Sequence, residues 1–307
     1  MIPILEVSNI VKKYKNHFAL NNLNMTVKRG DIYGFVGENG SGKTTIIRII
    51  TGLVFADSGS FKLFGNNNND NSILEARRKV GAIVESPSIY KNMSAKENLL
   101  TQATILGIKN DAKIKEILEY VGLGELYDDP KNAGNFSLGM RQRLGIAMAL
   151  LGNPEFIMLD EPMNGLDPAG IVDVRNLILK LNKEKNITFL ISSHILSELS
   201  LIATRYGIIS KGRIIKEISA NELKNECRKY IKLSVDELEK AYSLLEDKYC
   251  KENLKCYGSN IYLYGENNIN ELVGLLTANN INISSINTVE SNIEDYYLSL
   301  IGGVTNA

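Results

Sequence analysis

Hydrophobic and polar positions first alternate along this chain and then form continuous runs. The alternation through residues 5–7 and 23–27 is typical of half-buried β-strands. Residues 32–36, Ile-Tyr-Gly-Phe-Val, form a short apolar run, which predicts a buried strand. A glycine-rich turn and an apolar stretch at 44–50 follow, and Gly52 ends that stretch as a helix C-cap would. The pattern therefore predicts a strand, a loop and a helix in succession.

The period becomes helical from Ser94 onward. Ser94 and Glu97 have the three-residue spacing of a capping box, which marks the start of a helix. Asp111 is expected to cap a second helix, which has its apolar residues on one face and stops at Gly122. We therefore predict a helical subdomain at about 87–150, inserted into an α/β domain.

Two further apolar runs, at 156–159 and 188–191, are separated by an amphipathic helical stretch. Strand, helix and strand in this order form a βαβ unit, which is the building block of a parallel sheet. A tract of asparagines at 66–69 is expected to be a low-complexity surface loop without a role. The α/β domain is predicted to span residues 1–225.

Residues 226–307 form a second predicted domain. Their pattern is typical of strand, helix, hairpin, helix and strand, with the hairpin turning at 258–260 and the last strand at 281–286. That order is the βαββαβ arrangement of a small ferredoxin-like module. The fold class predicted for the chain is α/β, with a parallel-sheet core and a helical subdomain, plus a small C-terminal α+β module.

Charge and composition narrow the classes of partner. The chain has 35 Lys and Arg residues against 35 Asp and Glu residues, so no global positive field attracts nucleic acid or an acidic membrane. No signal-peptide pattern opens the sequence, and no run approaches the roughly 20 apolar residues that span a bilayer. We expect a cytoplasmic protein with no nucleic-acid partner and no direct membrane insertion.

Cysteine usage agrees with a reducing compartment. The three cysteines, Cys227, Cys250 and Cys256, are an odd number without a paired framework, so reduced thiols are predicted. The two histidines, His17 and His194, lie far from them in sequence. A zinc site is not expected, because such a site needs about four ligands grouped together.

Residues 37–44, Gly-Glu-Asn-Gly-Ser-Gly-Lys-Thr, match the phosphate-loop pattern G-x-x-x-x-G-K-[ST] between the predicted strand and helix. The glycines let backbone N–H groups and the helix N-terminus face the β- and γ-phosphates of a nucleotide. Lys43 adds a positive charge, and Thr44 offers its hydroxyl to Mg²⁺. The residues predicted to bind ATP in this segment are Gly37, Asn39, Gly40, Ser41, Gly42, Lys43, Thr44 and Thr45.

Two adjacent carboxylates, Asp160 and Glu161, follow the apolar run at 156–159. A buried strand thus delivers both to its carboxyl end, where ligands bind in open α/β sheets. Asp160 is predicted to hold Mg²⁺ through water, and Glu161 is predicted to act as a general base on the attacking water. Together with the phosphate loop, this pair predicts an ATPase that uses Mg²⁺.

Residues 136–143, Phe-Ser-Leu-Gly-Met-Arg-Gln-Arg, lie between these two motifs and enter an apolar helix. They resemble the ABC ATPase signature LSGGQ followed by a basic-Gln-Arg run, although only Ser137 and Gly139 match the pentapeptide itself. The resemblance implies the P-loop NTPase fold of ABC transporter ATP-binding subunits. It also implies a head-to-tail homodimer, in which Ser137 and Gly139 hold the γ-phosphate of the ATP on the opposite subunit.

The resemblance extends from residue 4 to about residue 225. Tyr14 resembles the aromatic residue that stacks on adenine, and 164–167, Asn-Gly-Leu-Asp, resembles the D-loop that contacts the partner subunit. His194 resembles the switch histidine that reaches the γ-phosphate. Such subunits work with integral membrane permease subunits, which implies a peripheral location at the inner face of the cell membrane.

One position departs from the usual family pattern. Family members usually have glutamine in the loop between the two subdomains, whereas Glu85 follows the apolar strand pattern at 80–84. A glutamate here resembles the subgroup that exports lantibiotics and bacitracin-like peptides for immunity or resistance. By this analogy Glu85 is expected to contact the Mg²⁺ site and link it to the permease. The predicted catalytic residues are Glu161, His194 and Glu85, and the predicted metal ligands are Thr44, Asp160 and Glu85.

Three other functions are compatible with parts of the sequence. One is an ABC exporter for a different substrate, such as a drug or a lipid. Another is a soluble ABC protein acting on ribosomes or DNA, which predicts two cassettes or a long coiled coil between phosphate loop and signature, and the sequence has neither. The third is a regulatory nucleotide-binding module without turnover, which the presence of Glu161 disfavours.

Overall fold

The computed structural model describes residues 2–109, 111–227, 230–249, 253–265, 268–289, 296–297 and 300. The chain divides into two compact units, Met1–Ala220 and Asn221–Ala307. The sequence placed the domain boundary at residue 225. Both positions fall within one short helix, Ala220–Glu226.

The first unit alternates between strands and helices. In chain order its elements are β1 (Pro3–Tyr14), β2 (His17–Lys28), β3 (Ile32–Val36), α1 (Lys43–Thr51), β4 (Ser58–Leu63), β5 (Asn66–Asn67), α2 (Ile73–Arg78), β6 (Val80–Ile83), α3 (Ala95–Ile105), α4 (Asp111–Tyr120), α5 (Leu138–Leu150), β7 (Phe156–Asp160), α6 (Pro168–Lys185), β8 (Thr188–Ser193), α7 (Leu196–Ser200), β9 (Arg205–Ser210) and β10 (Arg213–Ser219). This order confirms the predicted α/β class.

A six-stranded sheet forms the centre of this unit, in the order β10-β9-β3-β8-β7-β6. The strands from β9 to β6 run parallel, whereas β10 pairs with β9 antiparallel. Every residue of β3, β7 and β8 is buried, because a parallel sheet is covered on both faces. The carboxyl ends of β3 and β7 therefore lie at the same edge, where the phosphate loop and the paired carboxylates follow.

A second sheet, in the order β2-β1-β4-β5, is antiparallel, and the asparagine tract takes part in it. Asn66 and Asn67 form β5, and the Asn68 side-chain oxygen accepts a hydrogen bond of 2.8 Å from the Phe61 N–H. The Asn66 amide donates to two backbone carbonyl oxygens in the same turn. The expectation of a loop without a role is wrong, because asparagine side chains satisfy the backbone groups of a tight turn.

Helices α3, α4 and α5 form the helical subdomain. Ser94 and Glu97 make the predicted capping box, since the Ser94 N–H donates to Glu97 Oε2 at 2.7 Å and the Glu97 N–H donates to Ser94 Oγ at 3.3 Å. Two N–H groups that the first turn of α3 leaves unpaired are thereby satisfied. Asp111 is the first residue of α4, and residue 110 lies outside the described part of the chain.

Helix α8 (Ala220–Glu226) begins at the last residue of the first unit. The second unit continues with β11 (Tyr230–Val235), α9 (Leu238–Lys248), β12 (Leu254–Tyr257), β13 (Asn260–Tyr264), α10 (Ile269–Ala278) and β14 (Ile283–Val289). From β11 onward the order is βαββαβ, and the antiparallel sheet has the order β12-β13-β11-β14. This is the ferredoxin-like arrangement that the sequence predicted. The last strand begins two residues later than expected, and Ile281 packs in the core ahead of it.

Two sequence expectations concern cysteines and membrane spans. Neither Cys227 nor Cys256 forms a disulfide, and Cys250 lies outside the described residues. In the part of the chain that the structure describes, no helix has the length and apolar character needed to cross a membrane.

Candidate active site

The phosphate loop, residues 37–42, connects β3 to α1. Lys43, the first residue of α1, is buried. Its Nζ atom donates hydrogen bonds to the carbonyl oxygens of Gly37 at 2.6 Å and Glu38 at 3.1 Å. The ammonium group therefore lies inside the curve of the loop, next to the backbone N–H groups at the start of α1, and makes this region electropositive.

Two glycines of the loop have no room for a side chain. A Cβ atom on Gly37 would lie 2.5 Å from the carbonyl oxygen of Ile209, and one on Gly42 would lie 2.5 Å from that of Ala19. Gly42 also has a φ of +113°, which side-chain-bearing residues rarely adopt. The curve of the loop thus depends on close contact with β2 and β9.

Asp160, the last residue of β7, joins the loop helix to the neighbouring strand. Its Oδ2 atom accepts a hydrogen bond of 2.7 Å from Thr44 Oγ1, and its Oδ1 atom accepts one of 2.5 Å from Ser192 Oγ. Ser192 lies opposite Asp160 in the parallel pairing of β7 with β8. Sequence reasoning missed Ser192, although it precedes His194 by only two positions.

Glu161 lies close to two of the residues predicted to bind near the γ-phosphate, Lys43 and His194. Its Oε2 atom is 2.7 Å from His194 Nδ1. Its Oε1 atom is 3.3 Å from Lys43 Nζ, a distance for an ion pair, but without the alignment of a hydrogen bond. Glu161 has a φ of +48°, in the left-handed region where non-glycine residues are uncommon. This conformation turns the carboxylate away from the strand and into the site.

A cavity of about 300 Å³ lies beside the loop, between β1, β2 and α1. Its lining includes these residues from the predicted set: Tyr14, Asn39, Gly40, Gly42, Lys43, Thr44, Thr45 and Glu161. His17 and Ala19 also line the cavity and were not predicted. His17 pairs with Tyr14 across the β1–β2 hairpin, so strand register was the signal that could have identified it.

The signature segment lies elsewhere on this unit. Ser137 is exposed and caps α5, because its Oγ atom accepts a hydrogen bond of 3.2 Å from the Met140 N–H. Gly139 is buried, and a Cβ atom there would lie 3.6 Å from Gly170 Cα. Asp167 caps α6 through the Gly170 N–H at 3.0 Å. Neither Ser137 nor Gly139 is among the residues that line the cavity in their own chain.

Glu85 contacts the phosphate-loop helix through a basic residue. Its Oε1 atom forms an ion pair of 2.6 Å with Nη2 of Arg48. None of the contacts described for Glu85 reaches Thr44 or Asp160, so its role as a metal ligand stays a prediction. Arg48 was not predicted, because nothing in the sequence signals a pair 37 positions apart.

A further carboxylate, Glu198 on α7, has a pKa that depends on two residues of the candidate site. Burial raises the pKa of the Glu198 carboxyl, nearby His194 lowers it, and the negative charge of Glu161 raises it. Glu198 follows His194 by four residues, which was the available sequence signal. The candidate site thus has a titratable neighbour that was not among the predicted residues.

A parallel sheet with a phosphate loop after one strand and paired carboxylates after another defines a P-loop nucleoside-triphosphate hydrolase. A sequence profile described as "ABC transporter" matches residues 20–164. Over 310 residues, the chain is 43% identical to the bacitracin transport ATP-binding protein BcrA of Bacillus licheniformis, with 99% of each chain covered. It is also 43% identical over 214 residues to the lantibiotic transport ATP-binding protein SrtF of Streptococcus pyogenes, covering 70% of this chain and 90% of that protein.

Solved structures give the same result. An ATP-binding cassette of an ABC transporter in its ADP conformation has a TM-score of 0.66 at 31% identity, covering 73% of this chain and 94% of that one. A dimeric cassette in a post-hydrolysis state, bound to ADP and Pi, has a TM-score of 0.63 at 26% identity, covering 70% and 98%. The chain belongs to the ABC transporter family of ATP-binding proteins. It binds nucleotide and hydrolyses ATP, and the predicted family and fold class are confirmed.

Proposed function

We propose that this chain is the ATPase subunit of an exporter that protects cells from bacitracin-like or lantibiotic peptides. The observation that supports this most is the similarity to a bacitracin transport ATP-binding protein over 99% of both chains, which includes both units. Glu85 at the position of the usual glutamine supports the same substrate class. An exporter for a drug or lipid is the alternative.

Mg²⁺ fits the oxygen atoms that the site brings together. Thr44 Oγ1 and Asp160 Oδ2 are 2.7 Å apart, and Glu161 Oε1 is buried without a hydrogen-bond partner among the described residues. Those residues include no group of three or more His, Cys, Asp or Glu side chains suited to a metal. Thr44 would hold Mg²⁺ directly, Asp160 through water, and ATP phosphates would complete the coordination. The ion would neutralise charge on the β- and γ-phosphates.

In this proposal, different groups of the protein act on the attacking water and on the phosphates. Glu161 takes a proton from the attacking water as general base, and the 2.7 Å contact with His194 orients its carboxylate. Lys43 and the N–H groups at the start of α1 stabilise negative charge on the phosphates. The buried Ser41 Oγ, which has no partner among the described residues, offers one more hydroxyl to them.

The signature residues complete the site of a second copy in this proposal. Ser137 lies on the surface, and its O–H proton is left to donate because its oxygen accepts the Met140 N–H. Leu138, next to it, is 40% exposed. The start of α5 therefore presents a hydroxyl and helix N–H groups outward. A head-to-tail homodimer would bring them to the γ-phosphate of the partner's ATP.

The permease is expected to bind at a groove between the helical subdomain and the loop of Glu85. This groove has a volume of about 330 Å³, and its lining includes Pro87, Ser88, Gln102, Leu106 and Met148. The lining combines apolar side chains with polar and basic ones, among them Arg77 and Arg78, a mixture typical of protein-binding surfaces. Binding there would place the chain at the inner face of the membrane.

The growth of cells exposed to these peptides tests the proposed substrate class. Cells that express this chain together with its membrane subunits are expected to grow at bacitracin or lantibiotic concentrations that stop cells expressing the Glu161→Gln chain at equal level. The growth-inhibiting concentration of each peptide is the measurement, and an unrelated drug is the control. If both strains are equally sensitive to all the peptides and the strain with the original chain is instead protected against the drug, the alternative of a drug exporter is favoured.

Removal of residues 226–307 is expected to leave ATP affinity unchanged. Every residue proposed to contact nucleotide lies in the first unit, and the second unit has its own hydrophobic core, which includes Leu233, Leu245 and Leu272. Titration of the truncated and full-length chains with a fluorescent ATP analogue measures the difference. Loss of binding in a truncated chain whose circular dichroism shows a folded protein would contradict the proposed division.

A further inference from the structure

An ion pair joins the phosphate-loop helix to the loop between the subdomains. Arg48 lies on α1, and its Nη2 atom is 2.6 Å from Glu85 Oε1. The Arg48 side chain is 37% exposed and that of Glu85 is 63% exposed. A pair this accessible to water is weak and screened by salt, so it can form and break during a functional cycle.

Arg48 lies on the same face of α1 as the residue proposed to hold Mg²⁺. Thr44 and Arg48 are four positions apart, which places them one turn from each other on a helix. Thr44 Oγ1 donates a hydrogen bond of 2.7 Å to Asp160 Oδ2. A displacement of α1 that follows from contacts at Thr44 therefore moves the Arg48 guanidinium as well.

Glu85 lies at the start of a segment and has a backbone conformation that is unfavourable unless surrounding contacts stabilise it. Glu85 has a φ of +64°, which non-glycine residues adopt at some cost in free energy. Two residues later, Pro87 packs against the helical subdomain, since a Cβ atom on Gly145 of α5 would lie 2.6 Å from Pro87 Cβ. Pro87 and Ser88 line the groove proposed for the permease. The segment 84–90 thus connects the Arg48 contact to that groove.

We propose that Arg48 is a positioning residue that couples the occupancy of the nucleotide site to the conformation of the 84–90 segment through its ion pair with Glu85. The proposal rests on the proposed function, because it requires that ATP binds at Lys43 and Thr44. It also explains how a glutamate is accommodated where the family usually has glutamine. The carboxylate gains a charge-assisted bond from arginine, which a neutral amide would not form with equal strength.

Hydrogen–deuterium exchange of the full-length chain tests this directly. All samples contain the Glu161→Gln substitution, so that ATP is not consumed, and exchange of the 84–90 amides is compared with and without Mg·ATP. With Arg48 present, ATP is expected to slow this exchange. With Arg48→Gln, the slowing is expected to be lost, while the ATP dissociation constant stays the same. Arg48→Lys, which keeps the charge, is expected to retain most of the slowing.

A matched control comes from the second unit. Lys248 forms an ion pair of 2.6 Å with Glu271, with side chains 38% and 57% exposed. Lys248→Gln thus removes a contact of similar distance and exposure, and it is expected to leave the slowing at 84–90 intact. In a chain with Glu85→Gln, adding Arg48→Gln is expected to have no further effect, because the two residues act as one pair.

The outcomes separate this inference from the proposed function. If ATP does not bind the chain with Arg48 present, the proposed nucleotide site is wrong. If ATP binds and the 84–90 exchange does not change, or if Arg48→Gln leaves the slowing intact, Arg48 does not position the segment. Equal loss in Arg48→Lys and Arg48→Gln would also overturn the proposal, since charge would not be what matters.

Discussion

A chain with Glu161→Gln is expected to bind ATP as tightly as the original chain and to lose at least about 100-fold of its ATPase rate. A positioned general base contributes on the order of 100- to 10,000-fold to a proton-transfer step. The amide keeps the shape of the carboxylate but cannot accept the proton of the attacking water. The expected result is therefore a loss of turnover and not of binding.

Asp160, the carboxylate next to Glu161 in sequence, is not expected to replace it as the base. Asp160 is occupied by hydrogen bonds from Thr44 and Ser192, at 2.7 and 2.5 Å, which fix both of its oxygen atoms. The side chain of Glu161 is the one that contacts His194 and approaches Lys43, on the side where the cavity opens. A second carboxylate thus lies close by, but its oxygen atoms are already engaged.

Steady-state phosphate release measures the effect, and ATP titration of the same sample measures binding. Glu155→Gln is the matched control, because Glu155 precedes β7 and Glu161 follows it. Glu155 pairs with Arg29 and Lys79 at the opposite edge of the sheet. The Glu155→Gln chain is expected to keep the original ATPase rate. A Glu161→Gln chain that hydrolyses ATP at nearly the original rate would show that another group is the base.

A dimer that traps ATP is the second expected property of Glu161→Gln. Because ATP would bind at both sites and not be hydrolysed, the head-to-tail dimer should accumulate and elute earlier in size-exclusion chromatography with Mg·ATP. Adding Ser137→Ala removes the hydroxyl proposed to reach the partner's γ-phosphate and should return the chain to the monomer position. A dimer that persists with Ser137→Ala would argue against this role of the signature serine.

Residues whose chemistry depends on near neighbours could be predicted from the sequence. The phosphate loop at 37–44 and the capping box at Ser94 need only a few consecutive positions to be identified. The order of strands and helices in the second unit was predictable too, since hydrophobic period and turn residues determine each element locally. Resemblance to a family supplied the proposed roles of Tyr14, Ser137 and His194.

Contacts between distant positions could not be predicted in the same way. Ser192 bonds to Asp160 because β7 and β8 pair in parallel register, and no local pattern specifies that register. Arg48 meets Glu85 because α1 packs beside the loop after β6, which depends on the tertiary fold. The asparagine tract at 66–69 was misjudged for a related reason, because composition does not show which amides will satisfy backbone groups.

Gly42→Ala is the other substitution with a large expected effect, and it should raise the dissociation constant of ATP on the order of 100-fold. Gly42 has a φ of +113°, and a Cβ atom there would lie 2.5 Å from Ala19 O and 2.7 Å from Leu20 Cδ2. Strained backbone of this kind costs about 1 to 3 kcal/mol. When the free loop relieves this strain by leaving its phosphate-binding shape, ATP binding has to restore the shape at the same cost, and each 1.4 kcal/mol corresponds to about tenfold in affinity. The carbonyl oxygen of Ala19 belongs to β2 and cannot move aside as a flexible side chain would.

A glycine-to-alanine substitution at Gly65 distinguishes the effect of backbone strain from that of steric overlap. Gly65 has a φ of +79°, and a Cβ atom there meets no atom within 4 Å. Gly65→Ala should therefore lower the melting temperature through backbone strain alone and leave ATP affinity unchanged. In Gly42→Ala the loop can relieve the overlap only by moving away from β2, which displaces the N–H groups that face the phosphates. ATP titration and thermal unfolding of both variants measure the two effects, and original ATP affinity in a folded Gly42→Ala chain would show that the curve of this loop does not determine phosphate binding.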